Sequence, residues 1–222
     1  MHARDIPIVG EVIDGAMVFA VTTAQVARHP FRFVCAIAFD DPAETKRAFK
    51  FLGAGIALAY LILWPAMSRH GFEVSEFRFG VLMLLRLLLV TVIYHALFWV
   101  GGYRRPVTTS LIVSSYINGL YFPLFMAAIL PGYLVIGPQY YFDPMGPPLT
   151  AEHLAALGHP LVAVAQLALL AAYLFFFALA AYWWAVAFGA RVWLSAILLV
   201  AAVVVAGVVN IQVLPIVTRL FV

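Results

Sequence analysis

Arg86 carries the sharpest chemical implication in this sequence. It stands seven residues into the apolar run from Phe79 to Val100, and an ionised side chain inside such a run is costly unless it faces protein, water or headgroups. At 1.5 Å per helical residue its depth is about 10 Å, which leaves two readings open. Its long stem can snorkel to the near interface or toward Glu73 or Glu76. Alternatively it lines a cavity and binds an anionic group such as a lipid phosphate. His95 cannot complete that site, because nine residues at about 100° each put it on the opposite helix face. Beside Trp99 and Gly101 it reads as a hydrogen-bonded histidine near a helix end rather than a proton relay.

Asn118, Gln166, Asn210 and Gln212 are uncharged polar residues within apolar segments. Such groups bond across helices for about 0.6 kcal/mol each, so they read as packing contacts. Asn118 also joins Arg86 as a candidate intramembrane polar site. A second candidate is basic: Lys46, Arg47 and Lys50, with the pair Arg104-Arg105, would suit a membrane partner or anionic headgroups. Asp143, Glu152, His153 and His159 could in principle gather a metal, but the two histidines are six apart and match no ligand spacing. Neither a metal nor a cofactor is expected. No Ser or Cys has a base at a recognisable spacing and no carboxylate falls inside a span, so the chain reads as a non-enzyme without proton coupling. Cys35, the one cysteine, has no disulfide partner.

The elements that must position these residues are membrane helices. Of 222 residues, 65% are hydrophobic and 10% charged, and the mean hydropathy is +1.03. Too few charges exist to hydrate a soluble globule of this size. The net charge of +3 lies beside apolar runs, as topology determinants do, and makes no nucleic-acid footprint. Gly10 to Arg28 is an amphipathic interfacial helix: Val12, Ile13, Ala16, Met17, Ala20, Val21 and Ala24 on one side, Glu11, Asp14, Thr22, Gln25 and Arg28 on the other. No cleavable leader is read there. Pro30 breaks the helix, and Phe31 to Phe39 is too short to span. Asp41-Pro42-Ala43-Glu44 is a helix start, with Asp at the cap and Pro at the first position.

Residues 1–41 therefore form a cytoplasmic and interfacial region, and 42–222 a domain of five spans at about 48–67, 79–100, 108–136, 161–188 and 192–214. Pro131 marks a boundary or kink in the third, and the turn-rich connection 137–160 holds a short helix over 150–157. The fourth ends in Tyr182-Trp183-Trp184, read as an interface cluster. With the N-terminus inside, nine basic residues (Arg4, Arg28, Arg32, Lys46, Arg47, Lys50, Arg104, Arg105, Arg191) face the cytoplasm, against Arg69, Arg78 and Arg219 outside. That asymmetry predicts N-in, C-out.

From residue 31 to 210 the order of features resembles the Yip1 family of five-helix membrane proteins. The likeness rests on Phe39-Asp40-Asp41-Pro42, Gly101-Gly102, Ser115 through Pro123, and Tyr182-Trp183-Trp184-Ala185-Val186. It implies an all-α bundle with a scaffolding, assembly or trafficking role, bound to membrane lipids and to a membrane-protein partner or a second copy. Eukaryotic members associate with Rab-type GTPases through an acidic-Leu-Tyr-Gly-Pro motif absent here, so that partner does not carry over. Eleven arginines to two lysines, with abundant Ala and Val, fit a GC-rich bacterial genome and the cytoplasmic membrane. The alternative is a small permease or channel-like subunit, with Arg86, Asn118 and Pro123 lining a cavity and the Pro and Gly of the third span breaking its helix.

Overall fold

The computed structural model describes residues 7–70, 74–136 and 158–220, and all regular structure among them is helical. The helices are α1 (Pro7–Arg28), α2 (Pro30–Cys35), α3 (Pro42–His70), α4 (Val74–Val100), α5 (Val107–Ile136), α6 (Pro160–Phe188) and α7 (Val192–Leu220). Among the described residues, three helical stretches are long and apolar enough to cross a membrane: Pro42–Pro65, Val107–Gly132 and Pro160–Phe188. They indicate a membrane-embedded protein. Within α4 and α7 the described apolar stretches are shorter, Leu87–Val100 and Val192–Val208.

Local chemistry sets the helix ends. The Asp41 carboxylate accepts the Ala43 N–H at 2.8 Å and Pro42 opens α3, which satisfies one amide and removes another donor that would have no partner. His159 caps α6 through its ring Nδ1, which accepts the Leu161 N–H at 3.2 Å. Two helices close with the same C-terminal device. After α4, Tyr103 N–H reaches Phe98 C=O and Gly102 N–H reaches Trp99 C=O, with Gly102 at φ +89°. After α6, Ala190 N–H reaches Ala185 C=O and Gly189 N–H reaches Val186 C=O, with Gly189 at φ +68°. This paired pattern needs one left-handed residue, which glycine adopts without a Cβ clash.

Several boundaries differ from the sequence reading. Helix α3 continues through Pro65 to His70 and α4 resumes at Val74, where a loop from Ser68 to Arg78 was expected. Pro131 ends nothing: α5 is continuous to Ile136 and also runs unbroken through Asn118-Gly119 and Pro123. The short helix expected over 150–157 lies outside the described residues.

Helix α5 is the axis of the bundle. Over an 18-residue apolar window of each, 67% of the residues of α5 are buried, against 28% for α3 and 17% for α6. Pairings fix the directions. Glu44 meets Tyr116 and Gly55 meets Gly119, so α3 and α5 run parallel. Tyr121 packs on Phe176 and Phe125 on Tyr173, so α6 runs against α5. Tyr94 binds Ser195 near the end of α4 and the start of α7. The starts of α3, α5 and α7 and the ends of α4 and α6 therefore share one end of the molecule. There the largest core forms, around Phe51, Tyr94, Phe98, Tyr116 and Trp183. Leu61, Trp64, Leu167, Leu174 and Val204 stay exposed on the outer helices, as a perimeter solvated by lipid requires.

Trp183 and Trp184 correct the expectation of an interface belt, because both are buried. The Trp183 indole N–H donates to the Pro30 carbonyl at 2.9 Å, and Trp184 stacks among Tyr94, Phe98 and Phe188. A tryptophan whose N–H finds a partner can be buried whole.

The α3–α5 crossing depends on two glycines. A Cβ on Gly55 would collide with the Gly119 carbonyl and come within 2.8 Å of the Gly119 Cα, and one on Gly119 would enter the Phe51 ring. At Gly53 a Cβ would meet nothing. Gly55→Ala is therefore expected to destabilise the bundle by about 1–3 kcal/mol, as overpacking does. Gly53→Ala should be neutral or slightly stabilising. Thermal unfolding of both variants in mild detergent checks this, and equal melting temperatures would overturn the crossing as described.

Candidate functional site

The N-terminal helices are built onto the convergent end of the bundle. Helix α1 lies on α3 in the opposite direction, with Asp14 paired with Lys50 at 3.6 Å and, further along α1, Thr22 meeting Arg47, while Phe19 stacks on Phe51 at 4.9 Å. Its residues divide between two faces. Phe19, Thr22 and Val26 face the bundle; Met17 and Val21, exposed at 54% and 51%, share the outer face with Asp14, Gln25 and Arg28. Thr22, expected among the solvated residues, is fully buried. Burial is tolerable because the Arg47 guanidinium donates to its hydroxyl at 3.4 Å.

Helix α2 is held by aromatic contacts rather than by length. Val34 is fully buried, Phe33 packs edge-on to Tyr116 and against Trp183, and Phe31 meets Tyr182. With the Trp183 to Pro30 hydrogen bond, these contacts fasten the break between α1 and α2 to α6.

The two short elements and the start of α3 enclose an open cavity of about 650 Å³. Arg28, His29, Arg32, Arg47, Gln25 and Glu44 supply its polar wall, and Val21, Phe33 and Ile37 its apolar one. Glu44 is already engaged. It accepts the Tyr116 hydroxyl and lies 3.8 Å from Arg47. Among the described residues, Arg28 and Arg32 have no ion-pair partner. The cavity wall therefore presents two guanidiniums with free donors beside a third that orders the only carboxylate. Arginine donors in this arrangement match a phosphate or carboxylate.

The basic residues singled out from sequence separate here. Arg47 lines the cavity, Lys50 is tied to Asp14, and Lys46 is exposed on α3. Arg104 stands over the Trp99 ring at 5.5 Å, and Arg105 beside it is exposed. Arg28 and Arg32 had entered the sequence reading only as topology residues. Their signal was the four-residue spacing across the His29-Pro30 break.

The intramembrane candidates come together only in part. The Arg86 side chain, and the side chains of Asn210 and Gln212, lie outside the described residues, as do Asp143, Glu152 and His153. Gln166 is exposed and His159 is spent as a helix cap. Asn118 does not bond across helices as expected. Its amide donates to the Ser114 carbonyl at 2.7 Å and hydroxyl at 3.2 Å, one turn back on α5. Ser114 carries the link instead, 2.6 Å from Thr91 of α4. Because the Thr91 proton goes to the Leu87 carbonyl at 2.7 Å, Ser114 is the donor in that pair. His95 Nδ1 bonds Ser110 at 2.7 Å, and the Tyr94 hydroxyl lies 2.7 Å from the Ser195 hydroxyl. Helix α4 is thus tied to α5 and α7 by hydroxyl contacts that the sequence reading missed, because Ser and Thr carry no periodic apolar signal.

Replacing Tyr116 by Phe removes only the hydroxyl that completes Glu44. Tyr116→Phe should destabilise the protein by about 1–3 kcal/mol, the cost of under-satisfying a charged acceptor, measured by denaturant unfolding in detergent. An unchanged midpoint would mean that Glu44 does not depend on that bond. Compared with the sequence models of known families, with characterised proteins and with solved structures, the chain has no match.

Proposed function

We propose that the chain is a five-span protein of the bacterial cytoplasmic membrane, N-in and C-out, that acts as a non-catalytic scaffold or assembly factor of the Yip1-like type. The observation that carries this reading is the shared end of the bundle. Arg28, Arg32, Lys46, Arg47, Lys50, Arg104, Arg105 and Arg191 all lie on elements that meet there. A single basic end is what the positive-inside bias calls for, and the N-terminal helices give that end a formed surface rather than a tail.

Five spans are supported by helix length. With 27 and 29 residues, α4 and α7 extend about 40 Å at 1.5 Å per residue, enough to cross a bilayer core of about 30 Å. Their directions alternate with those of α3, α5 and α6. The exposed Met17 and Val21 of α1, on one face with Asp14, Gln25 and Arg28, support an interfacial position for that helix. The permease alternative has less support, since Asn118 is engaged by Ser114 and Pro123 is buried in an unbroken α5.

A reporter fused after residue 222 tests the topology: activity only outside the cytoplasm is expected, and a cytoplasmic signal would overturn five spans. In-cell crosslinking, mild-detergent purification and mass spectrometry test the role. Wild type should retain a defined protein partner, or a second copy of the chain, that Arg104→Ala/Arg105→Ala loses. Recovery of lipid alone from both proteins would overturn the scaffold reading.

A further inference from the structure

The cavity between α1, α2 and α3 combines features that the partner surface does not require. We infer that it is a binding site for the headgroup of an anionic phospholipid, taken up from the leaflet at the basic end of the bundle.

Three observations carry this. The first is charge. Arg28 and Arg32 flank the break between α1 and α2 without ion-pair partners among the described residues, while Glu44 is neutralised by Arg47 and held by Tyr116. The wall thus has a cationic excess, with free guanidinium donors for phosphate oxygens. The second is size. At about 650 Å³ the cavity falls within the range of about 300–1,000 Å³ usual for small-molecule sites, and exceeds what a bare phosphate needs.

The third is the exit. Val21 belongs to the cavity wall and is itself exposed, with the exposed Met17 one turn away on the same side of α1. Apolar surface therefore runs from the cationic wall one turn out along α1. A ligand charged at one end and apolar at the other fits that gradient, whereas a free anion would leave the Val21, Phe33 and Ile37 wall unused. His29 and Gln25 add donors on the same wall.

The site is tested on the full-length protein in mild detergent by native mass spectrometry, titrating phosphatidylglycerol against phosphatidylcholine of the same acyl chains. Preferential retention of phosphatidylglycerol is expected in wild type. Arg28→Gln/Arg32→Gln should weaken it at least about tenfold, in keeping with lost charge-assisted bonds, and leave phosphatidylcholine unchanged. Arg191→Gln, an exposed basic residue outside the cavity, should behave as wild type. Ala24→Trp fills the cavity without removing a cation and should lose phosphatidylglycerol as well, which distinguishes the cavity from general surface charge. Each variant is accepted only with a wild-type melting temperature; if Ala24→Trp fails that check, Ala36→Trp replaces it. Retained phosphatidylglycerol in the double arginine variant, or in the tryptophan variant, overturns the site. Displacement of the lipid by millimolar inorganic phosphate, with phosphate itself bound, would assign the cavity to a free anion and overturn the lipid assignment.

Discussion

The architecture depends on the close approach of α3 and α5 at Gly55 and Gly119. These helices are not consecutive, so no turn holds them together, and their parallel pairing rests on packing and on the Tyr116 to Glu44 hydrogen bond. At the crossing the backbones are near enough that a single methyl group has no space. Pro123 sharpens the constraint. It has no N–H for the carbonyl four residues back, which is that of Gly119, the same carbonyl a Cβ on Gly55 would strike. The Gly55 Cα hydrogen in that position is directed at the unpaired oxygen, a weak contact that offsets part of the loss. The acceptor that a proline leaves unused on one helix is thus met by a glycine on the other.

From that crossing the polar end follows geometrically. With Gly55 fixed beside Gly119, Glu44 lies about three turns back on α3 and Tyr116 less than one turn back on α5, so the long Tyr116 side chain reaches toward the basic end to meet Glu44. Glu44 in turn orients Arg47, which reaches Thr22 and so sets the height of α1. The cavity wall is a remote consequence of two missing side chains. Electrostatics then determines which cations remain available: those facing Glu44 and Asp14 are engaged, and Arg28 and Arg32 beyond them are not.

Helix positions were legible in the sequence because lipid solvent demands long apolar helices, and because Asp41-Pro42, Gly102 and Gly189 state their ends in local chemistry. What the sequence concealed was partner choice. Trp183 and Trp184 read as interface residues because composition does not tell an indole facing headgroups from one paired with a backbone carbonyl. Thr22 read as solvated because its hydroxyl counts as polar until Arg47 is placed beside it. Arg28 and Arg32 were visible only as charges, since a cavity between helices of different orientation has no sequence period. Pro123 and Pro131 were read too strongly as punctuation; in lipid the helix is retained even where one hydrogen bond is missing.

The two glycine-closed turns have a mechanical meaning. Only three residues, Gly189 to Arg191, separate α6 from α7, and the Gly189 and Ala190 amides are both engaged by carbonyls of the last turn of α6. Such a hinge has almost no slack. Sliding of α7 along α6 would have to break the turn, whereas α4 and α5, closed by the same bonds at Gly102 and Tyr103, are joined by a longer connection, Gly101 to Pro106. At the basic end, therefore, α6 and α7 behave as a rigid fork, and large relative displacement of its prongs is confined to their opposite tips.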